Sequence, residues 1–148
     1  MNIYVAGKWK SLTQKSVVGI LRSLNHNVYD YMNKIENPHG FAWTDFGIVE
    51  NCAPQKFISL LVDNETVTKA FLNDFEKLRD ADALVMTLPS GKSAHIEAGY
   101  LKGLGKKVFI YMTENDAPEL MYKMFDGIIT SEDQLKDIFS QSELPELF

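Results

Sequence analysis

Residues 83–93 read Ala83-Leu84-Val85-Met86-Thr87-Leu88-Pro89-Ser90-Gly91-Lys92-Ser93, and the chain continues Ala94-His95-Ile96-Glu97-Ala98-Gly99-Tyr100-Leu101-Lys102-Gly103. The almost wholly apolar run from Ala83 to Leu88 stops at Pro89-Ser90-Gly91, the signature of a strand buried on both faces. The spacing then predicts a helix from about Ser93 to Gly103. Downstream, Val108-Phe109-Ile110-Tyr111-Met112 repeats the strand pattern. After a short helical segment around Pro118 to Met124, Gly127-Ile128-Ile129 reads as a further strand, and Ser131 caps a last helix to about Phe139. Upstream, Ile3-Tyr4-Val5-Ala6 ends at Gly7 as another buried strand, and Val17, Ile20, Leu21 and Leu24 recur at helical spacing. Val28-Tyr29-Asp30-Tyr31 reads as a short strand. Residues 33 to 47, with Asn37-Pro38-His39-Gly40, read as a loop long enough to suggest a functional role. From Ile48 to about Leu61 the pattern is weakly helical despite Pro54; from Glu65 to Asp80 it is strongly so, through Val67, Phe71, Phe75 and Leu78. This alternation predicts one α/β domain over residues 1–148, with a parallel sheet covered on both faces and joined by right-handed crossovers. Ligands collect at the carboxyl ends of such strands, which selects Gly7 to Ser11, Asn33 to Gly47 and Pro89 to Ser93.

Composition narrows the function. The 148 residues, 45% hydrophobic, suffice for one sizeable core. Fifteen Lys and Arg against twenty Asp and Glu give a net charge of −5, which argues against a nucleic-acid polymer as partner. The opening MNIYVAGKWK has no secretory pattern and no apolar stretch approaches a membrane span, so a soluble cytoplasmic protein is expected. Cys52, the only cysteine, excludes an internal disulfide and reads as a small buried apolar residue. His26, His39 and His95 have no metal-ligand spacing, so neither a metal nor another cofactor is expected.

Two carboxylates stand where apolar residues belong. In the helix after Pro89, the stripe of Ala94, Ala98 and Leu101 takes in Glu97, close to the helix start, where the dipole favours an ionised carboxylate. With Ser93 as N-cap, the reciprocal capping position is Ile96 and not Glu97, so capping does not explain it. Asp74 interrupts the stripe of Val67, Phe71 and Leu78 in the same way; a functional role and a hydrogen bond to a neighbouring loop both fit. Gly91-Lys92-Ser93 resembles the end of a phosphate-binding P-loop, but the motif's first glycine would fall at Met86, inside a strand. Ser90, Gly91 and Ser93 still offer amides and hydroxyls to an anion at a helix start. His95 fits either an exposed helix position or a substrate contact. Tyr4, Trp9, Phe41, Trp43 and Phe46 fit base-stacking platforms and core filler equally.

Taken in order, Ile3-Tyr4-Val5-Ala6-Gly7, Asn73-Asp74-Phe75 before Asp80-Ala81-Asp82-Ala83-Leu84, Ser93-Ala94-His95-Ile96-Glu97-Ala98-Gly99-Tyr100 and Gly105-Lys106-Lys107-Val108 resemble the nucleoside 2-deoxyribosyltransferase family and its nucleotide N-hydrolase relatives. The resemblance implies a flavodoxin-like three-layer sandwich with a mostly parallel five-stranded sheet. It implies cleavage of an N-glycosidic bond, with Glu97 attacking the anomeric carbon, Asp74 as the active-site aspartate and Tyr4 orienting the nucleophile. An ordinary glutamate, with a pKa of about 4.3, is already ionised at neutral pH and needs only positioning. A glycosyl-glutamate ester would form through an oxocarbenium-like transition state and pass to water or to a second base, with net retention. The transferases carry an acid in the loop before the nucleophile helix; Pro89 to Ser93 has none and is more like the hydrolase branch, where this loop holds a 5′-phosphate and Lys92 would add charge. A homodimer or larger homo-oligomer is implied as well, with a loose counterpart of the family's C-terminal segment around Phe125-Asp126-Gly127. The expected partner is a small nucleoside or nucleotide, bound around Gly7, Trp9, Trp43, Ser90, Gly91, Ser93 and His95. The alternative from another class is a nucleotide-binding or sensing module without turnover. A purely structural protein leaves both inward carboxylates unexplained.

Overall fold

The computed structural model of the chain describes residues 1–33 and 40–148. Five strands, β1 (Asn2–Ala6), β2 (Asn27–Tyr29), β3 (Ala83–Thr87), β4 (Lys107–Tyr111) and β5 (Gly127–Ile129), form one sheet in the order β2-β1-β3-β4-β5. Every neighbouring pair is parallel. The apolar residues on both faces of β1, β3 and β4 require a cover on each side. The helices provide it: α1 (Leu12–Ser23) and α5 (Glu132–Phe139) on one face, α3 (Glu65–Arg79) and α4 (Lys92–Gly103) on the other. Alternation along β1 sends Ile3 and Val5 into the first layer with Val17, Leu21 and Leu135. Tyr4 and Ala6 go to the second, with Leu78, Ala98 and Leu101.

Short polar residues set the helix starts. The Ser11 side chain accepts from the Gln14 amide, Asn64 from Thr66 and Val67, and Ser131 from Gln134. α4 differs: its N-cap is Gly91 and not Ser93, and among the described residues no side chain caps it. The helix therefore opens at Lys92, with its cap two residues before Ser93.

Other expectations need correction. Pro54 does not interrupt a helix but begins one, α2 (Pro54–Asp63), because its fixed φ suits the first helical position, where an N–H has no intrahelical partner anyway. Residues 48–53 precede that helix. Within the expected loop from 33 to 47, Trp43–Phe46 forms a 3-10 turn, and residues 34–39, with Asn37, Pro38 and His39, lie outside the described residues. Phe71 is 59% exposed and does not belong to the core stripe of α3, where Val67, Ala70 and Leu78 are buried instead. Cys52 is only half-buried. Phe125 and Asp126 pack into their own chain: the Asp126 carboxylate, 2% exposed, accepts from Lys102 Nζ at 2.8 Å, Lys107 Nζ at 3.1 Å and the Val108 amide at 2.9 Å. Burial pushes that carboxyl up, but these donors outweigh it and hold it below its usual range. Among the described residues no helix is long and apolar enough to cross a membrane.

Candidate active site

The strand order reverses between β1 and β3, and the chain leaves β1 and β3 toward opposite faces of the sheet. A crevice opens at such a switch point beyond the carboxyl ends of the strands. Gly7, just after β1, lies so near β3 that a Cβ there would collide with the Thr87 hydroxyl. Only a glycine lets the chain turn here without pushing the two strands apart.

Glu97 projects from the second turn of α4 toward β1, where the Tyr4 hydroxyl donates to Oε1 at 3.2 Å. Tyr4 is itself 1% exposed. Asp74, on α3, accepts from the Tyr29 hydroxyl at 2.6 Å, and that hydroxyl accepts from Asn73 Nδ2 at 3.0 Å. Tyr4 and Tyr29 are register partners on adjacent strands, with ring centroids 5.3 Å apart. Two carboxylates from two helices are thus each met by a tyrosine from the sheet. Both line one cavity of about 380 Å³, walled by Phe71, Phe75, Tyr100 and Trp43, with Ser93 at its edge. A hollow of about 410 Å³ at the start of β1 and β2, beside Lys77 and Asp80, contains neither carboxylate.

The electrostatics depart from the expected ones. Burial pushes the Glu97 carboxyl up to about 7; the Tyr4 hydrogen bond lowers it and the nearby Asp74 charge raises it. Glu97 is therefore not the fully ionised glutamate expected at neutral pH, because it sits beyond the first turn, where the helix dipole fades, and among the described residues no cationic side chain offsets its desolvation. Asp74 is also raised by burial, against the lowering effect of Tyr29 and Asn73. Burial and the two carboxylates raise Tyr4 well above the usual tyrosine range, so its hydroxyl remains a donor.

The other sequence-selected residues divide. Trp43 and Ser93 line the cavity. Trp9 stacks on Tyr31 with centroids 5.8 Å apart, and the Tyr31 hydroxyl donates to the Gly7 carbonyl at 2.7 Å, so Trp9 stands one ring away from the switch point. The Ser90 hydroxyl is buried with no hydrogen-bond partner among the described residues, whereas Ser93 is exposed and lines the cavity. His95 turns away from the carboxylates: its Nδ1 meets the Gly91 carbonyl and its Nε2 the Tyr122 hydroxyl, each at 2.8 Å. Tyr29 and Asn73 were not singled out from sequence. Tyr29 reaches the site only through the pairing of β2 with β1, which sets it beside Tyr4 and which no local sequence pattern states. Among the described residues no three His, Cys, Asp or Glu side chains gather as metal ligands.

No family model matches the chain and no curated protein matches its sequence. Solved structures do share its fold. A 2-deoxyribosyltransferase from the psychrotolerant bacterium Bacillus psychrosaccharolyticus superposes with a TM-score of 0.64 at 20% identity, covering 91% of this chain and 90% of that one. A conserved protein from Enterococcus faecalis V583 gives 0.57 at 19% identity, over 95% and 98% of the two chains. A CMP N-glycosidase from Clostridium botulinum gives 0.53 at 11% identity, over 91% and 95%. The fold is that α/β three-layer sandwich. At these identities the similarity defines architecture, and the site's chemistry rests on its own residues.

Proposed function

We propose that the chain cleaves the N-glycosidic bond of a nucleoside 5′-monophosphate, with Glu97 as nucleophile and water as the final acceptor. The observation that carries this reading is the pairing of Glu97 with Tyr4 and of Asp74 with Tyr29 across one apolar-walled cavity. Deprotonated Glu97 attacks the anomeric carbon as the bond to the base breaks, forming a glycosyl ester. The departing base takes its proton from solvent, and Asp74, whose carboxylate faces the same cavity, holds the nucleoside in place by accepting a hydrogen bond from it. Water then attacks the same carbon from the opposite side, breaking the ester bond and giving up one proton to solvent, which frees the Glu97 carboxylate and restores the configuration. Phe71, Phe75 and Tyr100 give the flat face of a base an apolar wall. The phosphate is assigned to Ser93 and the first amides of α4, a helix start with no side-chain cap and no acidic residue in its first turn.

Incubation with ribo- and deoxyribonucleosides and their 5′-monophosphates is expected to release free base from at least one phosphorylated member, read by chromatography. A rise in melting temperature with a ligand but no base release over long incubation would instead identify a binding module. Added free base should leave the rate of sugar phosphate release unchanged if water is the acceptor; exchange into a new nucleotide would make the chain a transferase.

The same reading includes a homo-oligomer. α2 has no buried residue, and its Ile58 and Val62, one turn apart, are 58% and 71% exposed. Such a face is apolar enough to bury in an interface. Light scattering on the eluted protein should give at least twice the 16.8 kDa chain mass. Ile58→Glu with Val62→Glu is expected to yield a folded monomer; a parent that already runs at the chain mass would end the oligomer assignment.

A further inference from the structure

The side chain of His95 carries out a task that the reaction described above leaves unused. A carbonyl oxygen only accepts, so the contact between Nδ1 and the Gly91 carbonyl fixes the proton on Nδ1. In the neutral ring Nε2 is then the acceptor, and the Tyr122 hydroxyl must donate to it. Burial first, and then the charges of Asp116 and Glu119, raise Tyr122 above the ordinary tyrosine range, so that donor keeps its proton. The rings of His95 and Tyr122 are stacked with centroids 5.8 Å apart, and Tyr122 stacks in turn on Phe125, which is 8% exposed. A chain of contacts therefore runs from the core, through Tyr122 and His95, to one peptide group at the start of α4.

That peptide group is the one between Gly91 and Lys92. In a planar trans peptide the C=O and N–H point in opposite directions. Holding the Gly91 carbonyl back against His95, along the helix, aims the Lys92 N–H out of the amino end of α4. The helix's own bond to this carbonyl, from the His95 amide, is long at 3.5 Å, so the 2.8 Å contact from the His95 ring is the closer of the two, and among the described residues no side chain caps the helix. We infer that Tyr122 and His95 are positioning residues that set the anion-binding peptide of the Pro89–Ser93 loop, and so set the preference for a 5′-phosphorylated substrate. This rests on the phosphate assignment of the proposed function.

The test compares each nucleoside with its 5′-monophosphate, on whichever base the parent cleaves, and takes the ratio of the two kcat/KM values. Tyr122→Phe removes only the hydroxyl and is expected to reduce that ratio about fivefold to tenfold, through KM for the monophosphate, with the nucleoside constants unchanged. His95→Leu should reduce it at least as far. His95→Asn, which places an amide N–H near the position of Nδ1, should recover part of the loss. A parent with no preference for any phosphorylated member overturns the phosphate assignment, and this inference with it. A parent that prefers the phosphate, with Tyr122→Phe and His95→Leu keeping the full ratio, overturns only the inference. So does a lower melting temperature with the ratio intact, since the pair would then merely brace the fold.

Discussion

Replacing Glu97 by glutamine is expected to slow base release by about a thousandfold or more and, in the same variant, to raise the melting temperature at pH 8. Glutamine keeps the shape, and its carbonyl can still accept from Tyr4, but the amide is a far weaker nucleophile than a carboxylate. Stability moves the other way because the carboxylate is held at a cost. A carboxyl raised from 4.5 to about 7 on folding favours the native state while protonated. The stabilisation is fully present below the unfolded value and is lost as pH rises through the folded one. The full shift would correspond to about 3 kcal/mol, and partial solvent contact reduces the expected penalty to about 1–2 kcal/mol. Glutamine never bears the charge, so at pH 8 its melting temperature should exceed the parent's by about 3–6 °C, shrinking to nothing near pH 5. Parental turnover in the variant would remove Glu97 as nucleophile. A melting gain that is the same at both pH values would mean that charge burial is not its cause.

The parts legible in the sequence were those governed by a local pattern. The run from Ala83 to Leu88 could only be a strand buried on both faces, and it is β3, between β1 and β4. Glu97 and Asp74 stood out because a carboxylate in an apolar helical stripe violates the period. Both do point into one cavity. What stayed hidden depends on which strands are neighbours. Tyr29 becomes a partner of Asp74 only when β2 pairs with β1 in register, and nothing within Val28 to Tyr31 states that pairing. Phe71 reads as core by spacing, yet it is 59% exposed and lines the cavity, although Val67, Ala70 and Leu78 on either side of it along α3 are buried. The titration of Glu97 was illegible for a similar reason. Position on a helix indicates the dipole's direction, whereas the shift comes mainly from burial by residues distant in sequence.

That shift can be read directly in the pH dependence of kcat/KM, which reports the free enzyme. The reactive form of Glu97 is the carboxylate, so kcat/KM should rise tenfold per pH unit up to about 7 and then level off. A glutamate with an ordinary pKa would give a flat profile over the same range. The two tyrosine–carboxylate pairs make opposite contributions, which supplies an internal control. The Tyr4 hydrogen bond lowers the Glu97 pKa, so Tyr4→Phe should move the rising limb to higher pH. The Asp74 charge raises it, so Asp74→Asn should move the limb to lower pH, whatever it does to the plateau. Because the two carboxylates interact, the limb belongs to the pair, and its direction of travel is the safer observable than its midpoint. Limbs that move the same way in both variants would mean that Glu97 is not the group being titrated, and the deprotonated group would then have to be sought elsewhere around the same cavity.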